Sequence, residues 1–199
     1  MTLLILIPCK NFDQGKSRLA PDLDPDSRRA LCEQFLCQTL ALATSMIPPS
    51  QVKIVSDDPR AVGIGTDYGA SIVPDLGTDL NSALAGARRL LLSDRSCEPD
   101  VLVLPTDLPY ATPAAISMVV SYSADTVIVP DQEGQGTNLL FLRFRAFQNF
   151  SFAFGPDSFT RHCAAARSAG HTMQIVRDDR LAFDVDQPRH YAQWQGAIG

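Results

Sequence analysis

The chain has 199 residues, 45% of them hydrophobic and 20% charged, which suits one globular domain with a core of its own. A net charge of −5 argues against a nucleic-acid binder, which would carry a basic face. The five cysteines are an odd set with no CxxC spacing and read as reduced thiols of a cytoplasmic protein. No apolar run approaches the roughly 20 residues of a membrane helix.

Leu3–Ile7 is a run of apolar residues of the kind found in strands buried on both faces, and Pro8 closes it. It lacks the basic flank and cleavage site of a secretory leader. A polar loop follows from Cys9 to Ala20, carrying Gly15 and the cations Lys10, Lys16 and Arg18. Backbone N–H groups and cations converging after a first strand suit the phosphates of a nucleotide; the alternative is a solvated basic loop. A Walker A loop would need Gly where Lys10 stands, and no helix begins directly after Ser17.

Asp24 as N-cap and Pro25 at the first helical position start a long helix whose apolar stripe includes Leu31, Phe35, Leu42 and Met46. Pro48 and Pro49 end it. Residues 52–56 and 70–73 read as strands. Between them, Asp57 and Asp58 either touch a ribose or cap the turn that follows. A helix is expected from Thr78 or Asp79 to about Leu92, with Asn81 in its first turn. There its amide reads the edge of a base or completes the cap.

Val101–Leu104 is a second doubly buried strand, halted by Pro105, and Asp107 stands just beyond its carboxyl end. Ligands of open α/β sheets bind at that edge. Thr112 and Pro113 then open a helix to about Tyr122. Asp107 is therefore the candidate holder of a divalent metal on a nucleotide. Residues 126–129 and 139–142 read as strands flanking a loop with Gly134, Gly136, Thr137 and Asn138. Strand, glycine-rich loop and strand in succession imply a mixed sheet. Residues 144–154 are aromatic-rich and irregular, suited to the core, a lid or a dimer surface.

A helix is expected from Asp157 to Ala169, ended by Gly170, and Gly155 and Ser158 at its start offer a small anion site. Residues 173–176 read as a strand. In an extended segment 181–188, alternation places Asp184 and Asp186 on one face, where two acids repel unless a cation lies between them. The alternative is a solvated turn with Asp186 capping a helix from Pro188. His162, His171 and His190 show no zinc-type spacing. With neither a nucleophile–base arrangement nor a nicotinamide or flavin fingerprint, this inventory suits phosphoryl-group chemistry, in which positioning and charge neutralisation do most of the catalysis.

The ordered set Pro8–Lys10, Gly15–Leu19, Asp75–Leu84, Thr106–Pro109, Gly136–Asn138, Phe154–Phe159 and Asp184–Asp186 resembles the CofC/FbiD family of guanylyltransferases of coenzyme F-420 biosynthesis. The likeness runs from Leu3 to about Tyr191. It implies a Rossmann-like nucleotidyltransferase fold of the molybdopterin-guanylyltransferase type, a mostly parallel mixed sheet with helices on both faces. One domain would span 1–199, with about 1–110 binding GTP and about 111–199 binding the acceptor. The implied reaction joins GMP from GTP to 2-phospho-L-lactate, phosphoenolpyruvate or 3-phospho-D-glycerate and releases pyrophosphate. By the same resemblance Asp107, Asp184 and Asp186 hold Mg²⁺ and Lys16 neutralises phosphate. Lys10, Gly15, Lys16, Arg18 and the Asn81 region take GTP, and Thr137, Gly155 and Ser158 take the acid. A deazaflavin transferase would consume the product. Cys9 stands where the family often has an aliphatic residue, and a buried thiol is a small apolar group. The rival expectations are a nucleotidyltransferase of the same fold acting on a molybdenum cofactor or sugar phosphate, and a non-catalytic nucleotide-binding module.

Overall fold

The structure is a computed structural model that describes residues 2–93 and 97–198. Its strands are β1 (Leu3–Pro8), β2 (Val52–Val55), β3 (Ser71–Val73), β4 (Asp100–Val103), β5 (Thr126–Pro130), β6 (Thr137–Leu142) and β7 (Met173–Ile175). They form a single sheet in the order β3-β2-β1-β4-β6-β5-β7. All neighbours are parallel except β6, which runs antiparallel to β4 and β5. The excursion between β5 and β6 is therefore a hairpin, as the glycine-rich loop implied.

Alternation along the strands explains why helices must cover both faces. Ile5, Ile7, Leu102, Val127 and Phe141 point to one core, while Leu4, Leu6, Val101, Val103 and Leu140 point to the other. The first face is covered by α1 (Pro25–Met46), α2 (Pro59–Asp67) and α4 (Pro113–Ser121); the second by α3 (Leu80–Leu91), α5 (Phe144–Phe147) and α6 (Ser158–Ser168). Each fully buried Leu or Phe stabilises this arrangement by roughly 1.5–3 kcal/mol relative to exposure.

Two further helices, α7 (Asp179–Ala182) and α8 (Pro188–Ile198), complete the chain. A third cluster, outside the sheet, joins Leu19, Leu31, Phe35, Phe183, Val185 and Trp194. Within it Phe35 packs on Trp194, with ring centroids 5.1 Å apart. This cluster ties the basic loop, α1, the segment before α8 and α8 itself into one corner.

Local chemistry accounts for most boundaries. The Asp24 carboxylate accepts from the N–H groups of Asp26 and Ser27, and Thr112 accepts from Ala115. Gly170 has φ 69°, the left-handed conformation that ends α6 without a Cβ penalty.

Several departures from expectation have physical causes. Residues 59–67 form a helix despite Gly63 and Gly65, because a Cβ at Gly65 would come within 2.3 Å of Ile54 Cδ1. Packing α2 closely on β2 outweighs the glycine's poor helix propensity. Leu181 and Ala182 belong to a short helix capped by Asp178, so the extended run starts only at Phe183. Thr137 and Asn138 lie within β6, not in the loop before it. The aromatic stretch adds to the core, with Phe147 and Phe150 buried and Phe152 and Phe154 packed against the same cluster.

Asp58 resolves the open choice after β2. Its buried carboxylate accepts from the N–H groups of Arg60 and Ala61 at the start of α2 and from Phe12 N–H, 2.9 Å away in the basic loop. Asp58→Ala would strand all three donors. We expect it to destabilise the protein by about 2–4 kcal/mol in urea denaturation. A loss well below that would mean that water replaces the carboxylate and that the loop is anchored elsewhere.

Candidate active site

The basic loop is anchored to the sheet by Cys9 N–H donating to Val55 O, by the Phe12–Asp58 bond, and by Phe12 itself, whose ring is 1% exposed. Cys9 is buried in the core, and burial, with Cys32 and Asp58 nearby, pushes its thiol up to about 12. It is an apolar filler, as expected, and all five cysteines are free thiols. Gly15 owes its place to α1, since a Cβ there would meet Cys32 Sγ at 2.5 Å.

The next residue, Lys16, has φ 50° and ψ 36°, a left-handed conformation unusual for a side chain larger than glycine. That local strain is held by its contacts. Lys16 Nζ donates to Asp107 Oδ2 at 2.7 Å and lies 5.8 Å from the centre of the Phe35 ring. Burial works against the ammonium, but Asp107, with Asp186 beyond it, outweighs that effect and holds its pKa above the ordinary lysine value. A left-handed lysine held by a part-buried ion pair thus stands at the carboxyl edge of the sheet, where ligands of open α/β sheets bind.

Asp107 is joined by the two acids expected from the far end of the chain. Val185 N–H donates to the Asp107 carbonyl at 3.0 Å, laying segment 183–186 beside it. Phe183 and Val185 are buried in the corner cluster, so alternation leaves Asp184 and Asp186 on the more open side. Asp186 forms an ion pair with Arg18, an exposed contact of little energetic weight. The Asp184 carboxyl is pushed up to about 6, first by burial, then by Asp107 and Asp186; Lys16 and a hydrogen bond from Asn138 oppose the rise.

Among the described residues, no three His, Cys, Asp or Glu side chains are arranged as ligands around a metal ion. The donor set nevertheless fits one. Its oxygens are all carboxylate, the preference of a hard divalent cation, and Asp107 and Asp186 add, after burial, to the rise of the Asp184 carboxyl.

The remaining expected residues fall into two places. Lys10 is exposed near the start of α3, where its charge adds to the backbone bonds that lower the Asp79 carboxyl. Asn81 spends both ends of its amide on one residue: Nδ2 donates to Phe154 O at 3.0 Å and Oδ1 accepts from Phe154 N–H at 2.6 Å. It couples α3 to the loop that carries Gly155, a positioning task that neither reading of the sequence named. Thr137 and Ser158 are buried together, with Thr137 N–H donating to Ser158 Oγ at 2.9 Å, and Gly155 has φ 113° in the turn before α6.

Sequence reasoning missed the roles of Asp131 and His162, and named Asn138 as a donor of the loop without its partners. Asn138 donates to the carbonyls of Leu181 and Ala182, which sets the approach of Asp184. Asp131 accepts from Gln135 and Gly136 N–H, shaping the glycine-rich loop, where a Cβ on Gly136 would meet the carboxylate at 2.7 Å. His162, fully buried, contacts Thr137. Asn138 was visible as part of a polar cluster; nothing in local spacing pointed to His162.

A sheet of this order, with cations and carboxylates gathered at its carboxyl edge, defines an α/β nucleotidyltransferase-like fold. Among solved structures, CMP:2-keto-3-deoxy-manno-octonic acid synthetase complexed with CTP shares it with a TM-score of 0.67 at 13% identity, over 100% of this chain and 98% of that one. The chain belongs to the family of CofC-like guanylyl transferases, whose profile matches residues 3–193. It is 37% identical over 187 residues to a phosphoenolpyruvate guanylyltransferase of Roseiflexus castenholzii, covering 94% of this chain and 85% of the relative. Another, from Chloroflexus aggregans, is 34% identical over 97% of this chain and 96% of its own length.

Proposed function

We propose that this protein transfers GMP from GTP to the phosphate of a three-carbon phosphorylated acid, releasing pyrophosphate, in the biosynthesis of coenzyme F-420. The observation that carries this reading is the part-buried Lys16–Asp107 pair with Asp184 and Asp186 beside it, in a chain of the CofC-like family. The name shared by the Roseiflexus and Chloroflexus relatives supports phosphoenolpyruvate as the acid to test first.

Asp107, Asp184 and Asp186 would hold Mg²⁺, and the chemistry such an ion supplies is neutralisation of phosphate charge. Lys16, and the more exposed Lys10 and Arg18, attract and neutralise the triphosphate, with Gly15 admitting the loop backbone close to α1. Thr137 at the start of β6, Ser158 at the start of α6, and Gly155 on the loop held by Asn81 seat the acid. A phosphate oxygen of the acid then forms a bond to the α-phosphorus as the bond to the β-phosphate oxygen breaks. The departing electron pair leaves on pyrophosphate, and no protein nucleophile is required.

The test is pyrophosphate release from GTP and Mg²⁺ with phosphoenolpyruvate, 2-phospho-L-lactate and 3-phospho-D-glycerate supplied separately. A parallel set includes the deazaflavin transferase and its acceptor, which relieve inhibition by the product. Turnover with one acid establishes the activity and names the substrate. Silence with all three, even with the transferase present, would move the assignment to a molybdenum-cofactor or sugar-phosphate acceptor.

A further inference from the structure

We propose that His162 is a positioning residue that turns the proton of the Thr137 hydroxyl away from itself and towards the acceptor, so that this point of the acceptor site favours an ionised oxygen. The inference rests on the acceptor-site reading above and deepens it.

The geometry runs through a buried chain of bonds. His162 is 0% exposed and is enclosed by the rings of Phe154 and Phe150, whose centroids lie 4.6 and 5.6 Å from its own. Ala153 N–H donates to His162 Nε2 at 2.9 Å. A backbone amide can only donate, so Nε2 must present a lone pair. In a neutral imidazole the proton then sits on Nδ1. Nδ1 lies 2.9 Å from Thr137 Oγ1 and therefore donates to it.

The imidazole stays neutral near pH 7, because burial, with Arg161 adjacent, lowers its pKa to about 4. With one lone pair of Oγ1 taken by His162, the hydroxyl proton of Thr137 must turn elsewhere. None of the described residues takes it.

Thr137 is held in place at the same time. Its N–H donates to Ser158 Oγ, so that hydroxyl too is an acceptor on its protein side with its proton left to donate. Two neighbouring hydroxyls with protons to donate favour an oxygen with free lone pairs, and an ionised one most, because charge-assisted hydrogen bonds are the stronger. A carboxylate oxygen and a phosphate oxygen share that property. Both hydroxyls lie at the carboxyl edge of the parallel strands, since Thr137 pairs with Pro130 at the end of β5.

The first test needs no turnover. A long-range ¹H–¹⁵N spectrum of the whole protein should show His162 as the neutral Nδ1–H form near neutral pH. An Nε2–H or doubly protonated ring would overturn the proposal. Titrations with phosphoenolpyruvate, pyruvate and inorganic phosphate follow the same signal. A shift with pyruvate assigns the site to carboxylate, and a shift with phosphate assigns it to phosphate. No shift with any of the three overturns the proposal.

The kinetic arm compares His162→Leu with His162→Asn, whose amide can still donate towards Thr137. His162→Leu should raise KM for the acid about 10- to 100-fold and leave KM for GTP within about twofold, with His162→Asn recovering most of the loss. Equal damage to both KM values, or no rescue by Asn, would mean a purely structural histidine. If no acid turns over with the wild type, the proposed function fails, while the spectrum still decides the histidine's role.

Discussion

Asp107→Asn is expected to lower turnover about a thousandfold while leaving the fold intact. Asparagine keeps an oxygen that Lys16 can donate to, but it brings no charge to a cation or to the ammonium. The Lys16 side chain is 9% exposed, so losing its charged partner is felt in stability as well as rate. We expect a cost of about 1–3 kcal/mol, within what a domain of this size tolerates. Pyrophosphate release and circular dichroism on the same preparation check both halves. Near-normal turnover would remove Asp107 from the reaction and favour a nucleotide-binding module that does no chemistry.

Asp184→Asn should trade activity for stability in a pH-dependent way. The folded carboxyl, raised from 3.8 to about 6, holds its proton more tightly than in the unfolded chain. Its favourable contribution is thus fully present below the unfolded value and is lost as pH rises through the folded one. At about pH 8 the wild type bears the full cost of an ionised, crowded carboxylate, about 3 kcal/mol at 1.36 kcal/mol per pKa unit. The metal-free Asp184→Asn protein should therefore be more stable than wild type at about pH 8, with the gain vanishing towards about pH 4. Turnover should fall about a hundredfold or more, because a charged oxygen is missing. Equal melting temperatures at both pH values would show that Asp184 is not under electrostatic strain. Burial and two neighbouring carboxylates are what make the ionised Asp184 costly.

Much of this architecture was legible locally. The apolar runs at Leu3–Ile7 and Val101–Leu104 supply β1 and β4, and Asp24 and Thr112 cap the helices they precede. Each of these signals acts over a few residues, through one carboxylate or hydroxyl and the N–H groups two or three positions on. The helix at 59–67 was hidden because Gly63 and Gly65 argue against helix by propensity, while the close approach to Ile54 that favours it lies in another element. Asn81 was expected to face a base or a cap, yet its amide matches the backbone of Phe154, 73 residues away. No spacing rule predicts such a pairing.

The amino-acid order alone determined the class of the sheet, the positions of its turns and caps, and the residue types available at its carboxyl edge. These follow from periodicity and from bonds within one turn of chain. Only the tertiary structure decided which of those residues meet. Lys16 reaches Asp107 across 91 positions, and Arg18 reaches Asp186 across 168. Both contacts depend on Phe35, Phe183, Val185 and Trp194 packing the two ends of the chain into one corner. Burial of that corner is what brings the charges together, and it is a property of the whole fold, not of any segment.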